Sequence, residues 1–286
     1  MLNHRDAAPR DATQLARDWL GGATERHLRG VRPGFDDLPW DSFDVTRIAP
    51  DDAGLLEARA VWTNGVFTEY ASGAAFSALA LALMQAQAPV DLSAAAADFA
   101  VDEMMHVALV SKLVMALGGA APYVADLSAL APTTYGDRPL VRAAEIAVKV
   151  SCVGEALSLP ALTASHRGAE HPLSKAVLAR LRHDEGPHAA IGHWFLAWAG
   201  SQLSRGDREY LGQVASQALQ VYAPLWLVDN QDVSVMGAHG LVSYRRYMES
   251  AVEHRIVRRL AQAGIAVRVP TLPDRAISTD EESNPL

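Results

Sequence analysis

The chain has 286 residues, half of them hydrophobic, with 33 acidic against 25 basic side chains and a formal charge of −8. That balance disfavours the nucleic-acid backbone as a partner, and a lone cysteine, Cys152, excludes an internal disulfide or a cysteine-rich metal site. The opening MLNHRDAAPRDATQLARDW lacks the apolar core of a secretory signal, and no uncharged run reaches the ~20 residues that cross a bilayer. The expectation is a cytoplasmic protein with no membrane partner.

Residues 1–50 read as an irregular extension with one short helix at 11–20. Beyond them the Gly and Pro residues fall between long stretches of 3.6-residue apolar period, so the class is all-α and strands have little support. A first helix is expected from about Asp52 to Gln87, stopped before Pro89; a second is capped by Asp91 or Ser93 and ends at Gly118–Gly119. After about twenty residues carrying Pro122, Pro132 and Gly136, a third opens past Asp137 with Pro139 in its first turn and runs to near Gly168. The fourth spans Pro172 to Gly200, and Asp207–Tyr222 and Ser243–Ala263 follow, the last closed by Gly264. Short loops force antiparallel neighbours, which gives two hairpins joined by one long crossover: a four-helix bundle over 51–203, additional helices over 204–266 and a polar, mobile tail over 267–286. Tyr244, Tyr247, Met248, Val252, Ile256 and Leu260 make a face on the last helix that covers the bundle or, less commonly, forms a subunit contact in a homodimer.

The chemistry lies in two repeats of Asp-Glu-x-x-His, DEMMH at 102–106 and DEGPH at 184–188. One Glu-x-x-His is ordinarily a surface pair, since residues three apart share a helix face. Here both sit in apolar stripes: Phe99, Glu103, His106, Val110, Leu113 and Leu117 on the second helix, and Leu178, Leu181, Glu185, His188, Gly192 and Phe195 on the fourth. The first helix adds Glu69 to the stripe Trp62, Val66, Gly73 and Phe76; the third adds Glu155 to Val148, Cys152, Leu159 and Leu162. Four inward carboxylates with no Lys or Arg in those stripes need positive charge. Two divalent metal ions supply it, with Glu69, Glu103, His106, Glu155, Glu185 and His188 as the ligands and catalytic centre. Val66, Gly73, Phe99, Val110, Cys152, Leu159, Gly192 and Phe195 lie one or two turns from ligands and are the candidate substrate-pocket walls; for Cys152 a small core residue is the better reading, and Gly73 and Gly154 serve either access or helix packing.

Gly186 and Pro187 stand inside the fourth helix, where glycine and proline cost roughly 1 and 3 kcal/mol against alanine. Either Pro187 ends one helix and begins another, or a distortion there aims Glu185 and His188 at a shared metal; Pro160 is expected to distort the third helix similarly.

Over residues of about 50–200 the chain resembles the ferritin-like di-iron carboxylate superfamily, and within it the twice-occurring Glu, some thirty residues, then Asp-Glu-x-x-His looks like the p-aminobenzoate N-oxygenase type. That resemblance implies a pair of iron ions, O2 as co-substrate, an electron donor of unknown identity and a small organic substrate that is hydroxylated or N-oxygenated in natural-product biosynthesis. The likeness to bacterial di-iron hydroxylases further implies that Asp102 and Asp184 each hydrogen-bond the histidine of the opposite motif. Leu181 stands where the N-oxygenases carry an additional histidine ligand, with His183 and His193 nearby. Bacterioferritins share the six ligands and rubrerythrins have a close relative of the set, so a ferroxidase, storage or antioxidant protein is the alternative, and manganese or a mixed manganese–iron pair is the alternative metal.

Overall fold

A computed structural model describes residues 22–35, 37–123, 127, 130–224 and 241–270, and these are helix and connecting loop with no strand among them. The expected helix at 11–20 and most of the expected tail, from 271 on, lie outside the described residues. The N-terminal extension is more regular than its sequence suggests. It holds α1 (Gly22–Val31), which buries none of its residues, and two 3-10 turns at Trp40–Ser42 and Val45–Arg47.

Helix α2 (Ala53–Gln85) starts where the Asp52 carboxylate accepts the Leu55 N–H at 2.9 Å. Helix α3 (Val90–Ala116) begins directly after Pro89 rather than at Asp91 or Ser93, because the Pro89 carbonyl already accepts the Ser93 N–H at 3.2 Å; Asp91 sits in the first turn and Ser93 is buried. Gly118 and Gly119, at φ 94° and 110°, end it with the Gly119 N–H on the Val114 carbonyl. The two helices are antiparallel: Arg59 bonds the Gly119 carbonyl at one end, and Gly73 lies against Glu103 in the middle.

Helix α4 (Pro139–Gly168) runs without a break, but its centre, Val148–Glu155, is a π-helix. The Ala156 N–H reaches back five residues to Ser151. A π segment widens each turn, so it rotates every residue beyond it. Val148, Cys152 and Glu155 are buried as their stripe requires, whereas Leu159 and Leu162 turn half out and Ala156, Leu157, Pro160 and Ala164 take the inner face. This corrects the expected stripe of the third helix.

Helix α5 (Pro172–Ala199) is α-helical throughout, so Pro187 neither ends it nor widens it. The distortion expected at Pro187 lies in the facing helix. Two local features keep proline tolerable: Gly186 has no Cβ to meet the proline ring, and His183 and Pro187 are on the exposed face, where water reaches the carbonyl that proline leaves unbonded. Closer to His188, Ser151 of α4 enters the α5 ladder, its hydroxyl donating to the His188 carbonyl at 2.7 Å and accepting the Gly192 N–H at 2.9 Å.

Helix α6 (Arg205–Tyr222) opens two residues before the expected Asp207, because Ser204 and Asp207 form a reciprocal capping box. Helix α7 covers 241–262, with a second π segment at Val252–Val257, and Gly264 follows it at φ 74°. Tyr244, Met248, Val252, Ile256 and Leu260 are buried in a core shared with α4 and α6, so this face covers the other helices of the same chain.

The apolar core has two parts. One gathers Phe76–Leu83 of α2, the first half of α3, α4, the end of α5 and the two last helices; the other gathers Leu55–Phe67 of α2, Met105–Leu117, Leu173–Leu181 and Phe35. On α2, α3 and α5 the changeover falls at Glu69, at Glu103 and His106, and at Glu185 and His188. A polar seam therefore crosses the interior between two apolar halves. Helices α2 and α4 are long and apolar enough by composition to cross a membrane; 44% and 61% of those windows are buried in this packing, and each contributes a carboxylate to the seam.

Candidate metal centre

The seam brings one ligand atom each of Glu69, Glu103, His106 and Glu185 within 4.8 Å of one another. His106 Nδ1 stands 3.4 Å from Glu69, 3.4 Å from Glu103 and 3.6 Å from Glu185. His188 Nδ1 stands 3.0 Å from the other oxygen of Glu103 and 3.1 Å from the other oxygen of Glu185. Glu103 and Glu185 thus each lie between two imidazoles whose centroids are 6.0 Å apart. Glu69 flanks the His106 side; Glu155, at the end of the π segment, lies close enough to Glu185 to repel it and accepts the Ser72 hydroxyl at 3.3 Å. Glu69 is the most open of the six, its side chain 14% exposed.

Behind the imidazoles stand the two aspartates. His106 Nε2 lies 3.3 Å from Asp184, within hydrogen-bond reach, and His188 Nε2 lies 3.6 Å from Asp102, just beyond it. Each pair joins one motif to the other across α3 and α5. A proton held on Nε2 toward an aspartate leaves the Nδ1 lone pair facing the carboxylates. Each aspartate also meets an arginine, Arg180 at 3.1 Å from Asp184 and Arg32 on Asp102. Burial opposes the ionised form of both carboxyls, but the facing histidine first and the arginine second hold them below the usual range.

Burial and mutual repulsion act on the six themselves. Glu103 is pushed up to about 7 by burial and by Glu69 and Glu155, although the two nearby histidines oppose the rise. Burial and Glu185 push Glu155 well above the carboxylate range, and burial and Glu103 raise Glu185. Burial would lower His188, yet Asp102, Glu103 and Glu185 outweigh it and carry it to about 12; His106 rises for the same reason through Asp184, Glu103 and Glu69. Burial opposes the ionised Glu69, but His106 keeps it below its ordinary value. Both Glu103 oxygens and His106 Nδ1 are buried with no hydrogen-bond partner, an arrangement that costs about 1–3 kcal/mol per group unless something else takes the lone pairs. Among the described residues the ion pairs of the six run to one another and, from the two Nε2 atoms, to Asp184 and Asp102, with no Lys or Arg among their partners. Hard oxygen donors with two imidazoles, unpaired and convergent, are a donor set for divalent iron, manganese or zinc.

The other candidates are placed as follows. Phe99 and Phe76 pack on the His188 ring at 4.5 and 5.1 Å and Val66 and Val110 are buried. At Gly73 the space a Cβ would take holds the Met104 methyl. Gly192 meets Cys152 Sγ, the Ala147 carbonyl and Ser151, so Gly192 and Cys152 form a helix contact. Leu159 is half out, and Phe195 packs on Trp198 at 5.7 Å. His183 is exposed, and His193 Nδ1 faces Cys152 Sγ at 3.9 Å, which accounts for neither as an extra ligand beside the six. A pocket of about 240 Å³ lined by Tyr135, Gly136, Asp137, Val141, Gly206, Asp207 and Tyr210 includes none of the candidates.

Sequence reasoning passed over three participants. Arg180 was legible, four residues before Asp184 on one helix face. Arg32 and Phe35 carried no mark, since they reach the site from the extension through contacts some seventy residues apart in sequence. Another buried carboxylate, Glu145, is separate: it binds Lys149 at 2.7 Å and the N–H groups of Tyr135 and Gly136, anchoring the crossover to α4. No protein-family model, no curated protein and no solved structure matches this chain.

Proposed function

We propose that this chain is a non-heme di-iron oxygenase of the ferritin-like four-helix type, oxidising a small organic substrate by hydroxylation or N-oxygenation in the cytoplasm, with electrons from a separate donor. The observation that carries the reading is the gathering of two Nδ1 atoms, the partly buried Glu69 and three buried carboxylates with no Lys or Arg among them. Glu69, Glu103 and His106 would hold one ion and Glu155, Glu185 and His188 the other, with Glu103 and Glu185 facing both. When bound, an iron pair supplies the electrons and Lewis acidity that activate O2.

The chain's own residues do the rest. The carboxylates balance the charge of two divalent ions, Asp184 fixes the orientation of His106 by a hydrogen bond, and Asp102 faces His188 as a charge partner. Phe76 and Phe99 keep water from the His188 ring. Helices α6 and α7 close over the π segment, where Tyr222 sits at Gly154 beside Glu155. A helical cover of this kind favours an enzyme that shields reactive chemistry. The filling of Gly73 by Met104 and of Gly192 by Cys152 favours a second reading, a ferroxidase or storage protein with no organic substrate.

The test is metal content after anaerobic Fe(II) loading and desalting, with Glu103→Ala beside the native chain. Two irons per chain, lost in the variant, support the site; no retained iron removes the reading. With two irons present, decay of the oxidised centre that speeds up with added aryl amines or other small organics supports the oxygenase, while repeated Fe(II) turnover to ferric mineral supports storage.

A further inference from the structure

The two Asp–His pairs are alike but their arginines are not. Asp184 takes its arginine from one turn earlier on its own helix, Arg180 at 3.1 Å. One turn before Asp102 the same position on α3 holds Asp98, an acid. Two aspartates four residues apart on a helix repel, and α3 supplies no cation between them. Arg32 does: its Nη2 lies 2.8 Å from Asp98 and its Nε donates to Asp102. The guanidinium comes from the extension, immediately after α1.

Three residues on, Phe35 is buried at 4% exposure, its ring 6.5 Å from His106 and within 22° of parallel, and the Arg180 guanidinium lies over the same ring at 5.0 Å from its centroid. One short stretch of chain therefore touches the second layer of both halves. Otherwise that stretch packs against the interior only through partly buried side chains, among them Leu28, Leu38, Trp40 and Phe43. Helix α1 buries nothing, and Phe35 is the one fully buried residue among the described positions of 22–48. Segments with few buried contacts open at low free-energy cost.

We propose that Arg32 is a positioning residue for the His188 half of the site and that residues 22–48 form a latch whose closure and the loading of that half support each other. The inference rests on the metal-site reading above. Closed, Arg32 neutralises Asp98 and orients Asp102 behind His188; open, Asp102 faces Asp98 and no longer has a fixed direction. The His106 half keeps its own arginine in either state. By linkage, whatever factor closure adds to the affinity of the His188-side ion, that ion adds to closure.

Mn(II) is the probe. The native chain retains two Mn(II) with the spectrum of a spin-coupled pair, and loading slows tryptic cleavage after the exposed Arg26 and Arg29 at least fivefold. Arg32→Gln retains about one Mn(II), shows the six-line signal of an isolated ion, and is cleaved equally fast with and without metal. Arg32→Lys restores part of both, and Asp98→Asn, which leaves the Arg32–Asp102 contact, keeps two ions but loses part of the protection. Circular dichroism of each variant identifies a misfolded chain, for which Asp98→Asn and the native cleavage rates decide. A native chain that holds no Mn(II) overturns the site and the latch with it; a native chain with two ions whose Arg32→Gln variant keeps both as tightly, or whose cleavage ignores metal, overturns the latch alone.

Discussion

His193 and His188 lie five residues apart on one helix, and their surroundings drive them in opposite directions. His193 faces Cys152 and feels Arg259; burial first and that charge second lower it to about 4, below its ordinary 6.5. Its neutral form is thus favoured in the folded chain, and the stability it contributes is present above pH 6.5 and lost as pH falls toward about 4. His193→Gln is expected to flatten the loss of stability across that window, as read by urea titrations at several pH values; an unchanged slope would remove this account of His193. His188 goes the other way because its neighbours are carboxylates rather than a guanidinium.

At the scale of the element, the π segment of α4 and the continuity of α5 are two sides of one contact. Ser151 lies in the π segment, and its hydroxyl enters α5 between His188 and Gly192, which requires that residue 192 have no side chain. A Cβ there would lie 2.6 Å from Cys152 Sγ and 2.8 Å from the Ala147 carbonyl. Gly192→Ala is accordingly expected to destabilise the fold by about 1–3 kcal/mol and to weaken metal retention by displacing the backbone at His188. Pro187 is expected to behave oppositely. It is exposed, it removes a ladder hydrogen bond, and α5 stays α-helical through it, so Pro187→Ala should raise stability by roughly 1–3 kcal/mol and leave the metal count unchanged. Metal loss in Pro187→Ala would return a functional role to the proline.

Across the whole molecule the seam of six polar groups divides the apolar interior, so the two halves of the core are joined through charges that repel unless compensated. Binding of divalent ions should therefore raise the melting temperature. At a free concentration a hundred times Kd the gain is about 2.7 kcal/mol, or about 5–10 °C for a domain of this size. Metal must displace protons from Glu103, held to about 7, and from His188, held to about 12. The sign is fixed: protons compete less as pH rises, so the Mn(II)-dependent rise in melting temperature should grow from about pH 5.5 to about pH 8. Scanning calorimetry with Mn(II) or chelator at those two values checks it, and a rise independent of pH would count against a site built on these carboxylates and imidazoles.

Helical class, the ends of the long helices and the inward position of Glu103, His106, Glu185 and His188 were all legible in the sequence, because 3.6-residue periodicity, Pro and Gly punctuation and capping residues are local and act within one or two turns. The juxtaposition of Glu69, Glu103, His106 and Glu185 follows the same rule, since each sits in an apolar stripe that must be buried. What periodicity could not carry was decided by contacts between helices. Pro160 points to a distorted helix here but itself lies in the α-helical part; the π segment precedes it, where Ser151 and Cys152 meet Gly192, and it turns Leu159 and Leu162 away from the interior. Gly186–Pro187 marks a break by every local rule, yet α5 stays α-helical through it. Arg32 and Phe35 reach the site only because the extension folds back over α3 and α5. A stripe is set by neighbours along the chain, whereas a clamp from seventy residues away exists only once the tertiary structure has formed.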